Sequence, residues 1–307
     1  MLELLNYKRL DKGNQSSIEY RQDMGSENVN HVKNHRSSFT NTEQTFIELG
    51  SSQRLSILFK LSVQNTKISS LAKDLNVTIQ EVHRNINRLV AAGLIHKGAE
   101  GIFSLTTFGS TIIKQISTFY FLSRNKEYFS DHTLGEISIK FIQRIGALNN
   151  CQYISGLVAV IESWKQLYTE SNEYIYGMLP QIPLELIETV VSRVKESHIK
   201  FRYILPQKAI VPKKRTDLLK RSGFYELLKT GLVERKMIDS IEVAVVLNEK
   251  QATVMFKDSK GQIDMNSMFF SKCTSIDNGL FHEWCLDYFR SCWEHSRSFD
   301  ESKLTEV

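Results

Sequence analysis

The chain has 307 residues, 41% hydrophobic and 24% charged, a balance ordinary for globular protein and sufficient for two domains that each bury a core. No stretch approaches the ~20 uninterrupted apolar residues of a membrane helix, and Glu3, Lys8 and Arg9 stand where a secretory signal would be apolar, so a cytoplasmic chain with no membrane partner is expected. Cys151, Cys273, Cys285 and Cys292 include no CxxC pair, which argues against a disulfide framework or zinc ribbon; reduced thiols, no metal and no cofactor are expected.

The net charge of +5 is unevenly spread. Residues 1–50 hold six Lys/Arg against seven Asp/Glu, residues 51–123 eight against three, and residues 124–307 25 against 24. The positive excess therefore sits on one short segment, as expected where that segment meets a polyanion.

In chain order, Asp11 to Thr42 is rich in Asn, Ser, Gln and charge with few spaced apolar residues, so residues 1–44 read as a disordered leader. Arg54, Leu55, Ile57, Leu58 and Leu61 then recur at helical spacing behind the N-cap candidates Ser51 and Ser52. Lys67-Ile68 is a short extended piece, and Ser69 to Asn76 a two-turn helix closed by an asparagine that tolerates the left-handed conformation. Thr78 caps a third helix to Ala92, with Ile79, Val82, Ile86, Leu89 and Val90 on one stripe and Gln80, His83, Arg84, Asn87 and Arg88 facing the other way; Gly93 stops it. Residues 94–97 and 102–105 flank the turn-prone Gly98-Ala99-Glu100-Gly101 as a β-hairpin. Thr106 or Thr107 caps a longer helix bearing Phe108, Ile112, Ile113, Ile116, Phe119, Tyr120 and Leu122.

This order is that of a winged helix-turn-helix. A major groove about 12 Å wide admits one helix whose exposed donors and acceptors meet base edges, and Arg pairs with guanine as Asn or Gln pairs with adenine. Double-stranded DNA is the expected partner, with Thr78, Gln80, His83 and Arg84 reading bases and Asn87 and Arg88 nearer the phosphates. Lys97 on the wing reaches an adjacent backbone or minor groove, and Ser69 donates to a phosphate from the start of the preceding helix. Glu81, in the middle of that face, would repel phosphate unless it accepts from a cytosine amine.

Further on, Thr133-x-x-Glu136 reads as a capping box opening a helix to Gly146. A helix over 158–169, a strand over 174–178, a helix opened by Pro183, a strand over 199–205, a helix over 216–229, a strand over 232–237 and a hairpin of 241–247 with 252–256 follow, before a final helix bearing Phe281, Trp284, Cys285, Tyr288, Phe289, Cys292 and Trp293. The fold class expected is α+β: a winged helix-turn-helix, then a mixed α/β sheet domain resembling a non-catalytic phospholipase-D-like sheet. The domains are 1–44, 45–129 and 130–300.

Catalysis is not expected. His198-Ile199-Lys200 has the letters of a phosphodiesterase His-x-Lys pair but opens a strand and lacks a following Asp at the expected distance, and no glycine run cradles phosphate. His282-x2-Cys285 and Cys292-x2-His295 look like metal ligands, yet Cys285 and Cys292 lie about 10 Å apart along one helix at 1.5 Å per residue, so core thiols are the reading. Lys213, Lys214, Arg215, Lys220 and Arg221 form a basic loop and helix start, read as solvated surface or an auxiliary anion site.

LVAAGLI (Leu89–Ile95) with the wing behind it, FIQRIGALNN (Phe141–Asn150), the strand-helix-strand run from Tyr174 to Leu205, LLKTGLVERKMID (Leu227–Asp239) and WCLDYFRSCWEHS (Trp284–Ser296) resemble archaeal winged-helix transcription regulators of the kind that control methanogenesis and filament formation. The resemblance covers about 50–300 and implies a cytoplasmic, dimeric transcription regulator with an α/β effector domain of unassigned ligand, responding to a small-molecule effector or a redox change; the polar leader departs from it. Two rivals stand beside this: an adaptor whose winged helix contacts transcription machinery, and a degenerate phosphodiesterase-like protein that His198→Ala would silence.

Overall fold

A computed structural model describes residues 41–272 and 279–307, which fold as two compact units divided between Gly109 and Ser110. The leader, Met1 to Thr40, and Cys273 lie outside the described residues.

The first unit opens with a helix described from residue 41 to 49 (α1), so residues 41–44 belong to a helix and not to a disordered leader. Four elements follow: α2 (Ser52–Val63), β1 (Thr66–Lys67), α3 (Ile68–Leu75) and α4 (Ile79–Ala91). The hairpin β2 (Ile95–Lys97) and β3 (Ile102–Leu105) joins β1 in an antiparallel sheet ordered β1-β3-β2. Ser51 caps α2, accepting from the Arg54 N–H. Ile57, Leu58, Leu61, Leu71, Val82, Ile86, Leu89, Leu94 and Phe103 form the core. The stripe expected on α4 is narrower than its sequence suggests: Ile79 and Val90 are 59% and 41% exposed, and Asn85 takes a buried place between Val82 and Leu89.

α5 (Thr107–Arg124) leaves the wing through a close approach, since a Cβ on Gly109 would fall 1.9 Å from the Leu94 carbonyl oxygen. Phe119 and Tyr120 stay exposed, whereas Phe121, absent from the expected apolar face, is fully buried.

In the second unit, β4 (His132–Thr133) precedes α6 (Ile139–Gln143), β5 (Gln152–Ser155), α7 (Leu157–Thr169), β6 (Tyr174–Met178), α8 (Leu184–Ser197), β7 (Lys200–Pro206), β8 (Ile210–Val211), α9 (Lys214–Ser222) and α10 (Phe224–Lys229). Then come β9 (Val233–Ile238), β10 (Val243–Asn248), β11 (Gln251–Asp258), β12 (Ser267–Lys272), α11 (Leu280–His295), β13 (Arg297–Ser298) and β14 (Thr305–Glu306). The expected capping box does not form: Thr133 pairs with Lys257 as strand, and its hydroxyl accepts from the Gly135 N–H. The helix expected over 216–229 is two, broken at Gly223 with φ +77°.

The large sheet has nine strands in the order β13-β9-β7-β6-β10-β11-β12-β5, with β4 on β11. β6, β7 and β9 are parallel, joined by helical crossovers, and the other pairings are antiparallel. Register sets the two faces. Thr253 lies opposite Val246, Val246 opposite Gly177 and Gly177 beside Tyr203, so these four share one face. α7 covers it by the hydrogen bond from Trp164 Nε1 to Thr253 Oγ1 (3.2 Å), and Phe224 of α10 packs against Tyr203. On the other face Tyr176 stacks on Phe289 of α11 at 4.9 Å, with the Arg202 guanidinium over Tyr176 and Trp293. The chain is thus α+β, a winged helix-turn-helix followed by a mixed sheet covered by helices on both faces.

Candidate nucleic-acid interface

The link from α3 to α4 is short because each residue in it has a defined task. Asn76 takes the left-handed conformation (φ 52°, ψ 48°) that ends α3, and the Val77 N–H donates back to the Ala72 carbonyl at 3.1 Å. Thr78 then caps α4 in a reciprocal box: its hydroxyl accepts from the Glu81 N–H, while its own N–H and hydroxyl both donate to Glu81 Oε2 at 2.9 Å. These bonds, the Thr78 N–H first, hold the Glu81 carboxyl below the ordinary carboxylate range. Val82, Ile86 and Leu89 bury the underside of α4, and the buried Asn85 donates to Gln53 Oε1 at 2.9 Å and to the Glu81 carbonyl at 3.1 Å.

Burying that side leaves Gln80, His83, Arg84 and Asn87 along the outer face, all exposed. Gln80 and Arg84 make no hydrogen bond or ion pair with any described residue, so their donors and acceptors are offered to solvent. His83 and Asn87, one turn apart, meet only each other, at 3.3 Å between Asn87 Nδ2 and His83 Nδ1. A helix of 13 residues is ~20 Å long and carries these groups over about two turns, a row able to follow base edges in a groove.

Two of the expected contact residues are otherwise committed. The Arg88 guanidinium embraces Glu48 of α1, Nη2 to Oε1 at 2.8 Å and Nε to Oε2 at 3.0 Å. Glu48 is 2% exposed and also faces Arg54 Nε at 2.8 Å, with Arg54 itself donating to the carbonyls of Glu48 and Ile47. Arg88 hydrogen bonding outweighs burial and lowers the Glu48 carboxyl; the same bonds raise the Arg88 guanidinium. Arg88 thus clasps α1 to α4, its guanidinium already held by a carboxylate. Thr78, expected to read a base, instead spends its hydroxyl on the cap.

Ser69 is exposed in the first turn of α3, and Lys97 is exposed at the end of β2, where it pairs with Phe103. Two cations not expected from sequence share this unit: Lys67, at the N-cap of α3, and Lys73, in its last turn, both exposed and without an ion pair among the described residues. Lys73 stands four residues after Ser69, a helical spacing that was the available signal. Asp74 is drawn off by Lys60 at 3.7 Å and Glu81 by the cap, so two acids of this surface are satisfied internally.

Elsewhere, His198 caps α8 in the left-handed conformation and Lys200 is exposed at the start of β7. His282 Nε2 contacts the Asn248 carbonyl at 2.6 Å, while Cys285 is fully buried with its thiol pushed up, and burial moves Cys292 up to about 11. No group of three or more His, Cys, Asp or Glu among the described residues could hold a metal, and none of the described helices is long and apolar enough to cross a membrane.

No protein-family model matches the chain, and no curated protein sequence does. Among solved structures it is similar to TrmBL2, an archaeal chromatin protein described as showing a novel mode of DNA binding, at 14% identity over 81% of this chain and 94% of that one (TM-score 0.36). It is also similar to the phospholipase D family member Nuc from Salmonella typhimurium, at 8% identity over 50% and 99% (TM-score 0.34), and to ZitR from Lactococcus lactis, at 20% over 43% and 97% (TM-score 0.23). TM-scores this low leave the functional reading to the chain's own residues.

Proposed function

We propose that the first unit binds duplex DNA with α4 in the major groove and that the chain is a sequence-specific transcription regulator, its second unit a non-catalytic domain that senses an effector. The observation that carries this is the outer face of α4. Among the described residues Gln80 and Arg84 make no hydrogen bond or ion pair, and His83 and Asn87 hydrogen-bond only each other, on a helix whose underside and cap are satisfied. Side chains of this type left unpaired on a rigid helix are free to meet base edges at no cost in broken internal bonds. Lys67, Lys73 and Lys97 supply phosphate contacts around them.

One such face covers a half-site, so operator-length specificity calls for two copies of the chain, with the spacing of half-sites set by the dimer. His198, left-handed at the end of α8, and Lys200, at the start of β7, are both exposed with no Asp following at the spacing of a phosphodiesterase motif, which supports a non-catalytic sheet.

Selection of bound sequences from a random duplex library with the full chain tests the reading. Enrichment of a two-fold symmetric motif that Arg84→Ala no longer selects is expected. Retention of all duplexes equally by both proteins, or of none, would overturn it.

A further inference from the structure

The isoleucine that opens α4 does not join the core beneath it. Ile79 shares the apolar spacing of Val82, Ile86 and Leu89, yet it is 59% exposed while those three are buried. It leads a different row of the helix: Ile79, His83 and Asn87 recur at intervals of four, and His83 and Asn87 are the pair that meet at 3.3 Å. Thr78 and Glu81 are locked to each other by the reciprocal cap. The exposed, uncommitted side chains of the first turn are therefore Ile79 and Gln80, one apolar and one polar. Ile79 also belongs to the wall of a groove of about 720 Å³ between α3 and α4, in company with Val77, Ser69 and Lys73.

Single apolar side chains are ordinary on a protein surface. What distinguishes this one is its place, because the first turn of a helix laid in the major groove comes closest to the bases. Of the groups that a base pair displays there, the thymine C5-methyl alone is apolar; the rest donate or accept hydrogen bonds. An isoleucine pressed on a base amine or carbonyl would displace water and return no hydrogen bond. Against the methyl, it removes apolar surface of both partners from water.

We propose that Ile79 is a specificity-determining residue that packs on the C5-methyl group of a thymine in each half-site. The exposed lysines of this unit act on phosphates and Gln80 and Arg84 on hydrogen-bonding base edges, so Ile79 supplies the one apolar contact of the first turn. The inference rests on the placement of α4 in the major groove proposed above. It adds that one base of the half-site is recognised by a methyl group and not by a hydrogen bond.

The test is fluorescence anisotropy of the full chain on the duplex selected above, with each thymine of one half-site replaced in turn by deoxyuridine. Uracil pairs with adenine as thymine does and lacks only the methyl. One replacement should weaken binding by about three- to tenfold, the scale of one buried methyl group. Ile79→Ala should bind the thymine and uracil duplexes equally at that position and keep the parent's unfolding midpoint, because the side chain it shortens is largely exposed. Ile79→Val should retain part of the preference. The ratio between two duplexes that differ by one methyl does not respond to a general loss of folding or affinity. A selected half-site without thymine, equal binding of both duplexes at every position, or a thymine preference that persists in Ile79→Ala would each overturn the assignment and leave duplex recognition by α4 standing. Failure of the chain to bind any duplex would overturn that recognition and this inference with it.

Discussion

Glu48 accepts both arms of the Arg88 guanidinium, at 2.8 and 3.0 Å, from a position that is itself 2% exposed. An acid from α1 thus consumes a cation of α4 that stands on the edge of its exposed polar face. Glu48→Ala should destabilise the first unit by roughly 3 kcal/mol, because Arg54 then keeps its buried charge without a carboxylate. The sign of the pH effect follows from the lowered Glu48 carboxyl: its contribution is present above the ordinary carboxylate value of 4.5 and is lost as pH falls through the lower folded value. Hydrogen exchange of the α1 and α4 amides between pH 6 and about pH 3 reads this directly, and equal protection in Glu48→Ala and the parent at pH 6 would refute it.

Arg88→Gln separates the clasp from a phosphate contact. It should weaken protection of α1 and leave the salt slope of duplex binding unchanged. Lys73→Ala should do the opposite, lowering that slope by about 1 with stability unaffected. Fluorescence anisotropy across a salt series, together with the exchange measurement, distinguishes the two residues.

Arg84→Ala should reduce affinity for the selected duplex by about tenfold to a hundredfold and relax preference at one base position, whereas Lys67→Ala should weaken all duplexes alike. Anisotropy against single-position variants of the selected site measures both. Uniform loss in Arg84→Ala would reassign that residue to the phosphates.

The surface of α4 was legible because burial at Val82, Ile86 and Leu89 repeats at helical spacing and forces Gln80, Arg84 and Asn87 outward. What each polar group then touches was not. Thr78 and Glu81 stand three apart in the pattern of a capping box, yet the same letters at Thr133 and Glu136 give a strand, because β11 offers Thr133 a ladder position. Helix α1 carries no apolar stripe to mark it in the sequence, because its internal side is held by an ion-pair cluster. β5 and β12 are short, QYIS and SMFFSK, and only their pairing to each other and to β11 makes them strands. The break between α9 and α10 was missed in the helix expected over 216–229, although Gly223, whose left-handed conformation ends a helix at little cost, was the available signal.

The hydrogen bond from Trp164 Nε1 to Thr253 Oγ1 fixes α7 on the sheet, with both residues almost fully buried. Thr253→Val preserves shape and leaves the indole N–H without an acceptor, so a loss of about 1–3 kcal/mol is expected. Thr253→Ser, which keeps the hydroxyl, should recover most of it. Urea unfolding followed by tryptophan emission compares the three proteins, and equal midpoints for Val and Ser would show that the bond contributes nothing.

His132 gives the second unit a dependence on pH near neutrality. Burial alone would depress its imidazolium, but Nδ1 reaches the Asp131 carboxylate at 2.7 Å and the Tyr128 carbonyl at 2.9 Å, while Nε2 reaches Asp264 at 3.3 Å. Together these contacts outweigh burial and hold the group above its usual 6.5. The Asp264 carboxyl, against its own burial, is lowered by Ser267, the Asn266 N–H and His132. A cation favoured in the folded state contributes stability that is complete below 6.5 and lost as pH rises through the higher folded value. The contact that weakens is the one tying β4, the strand on the flank of β11, to Asp264 just after β11. Thermal unfolding of the full chain should therefore show a midpoint that declines from pH 6 to about pH 8.5, and His132→Gln, which can hydrogen-bond but cannot titrate, should flatten that decline. An identical slope in parent and variant would place the pH dependence in another group.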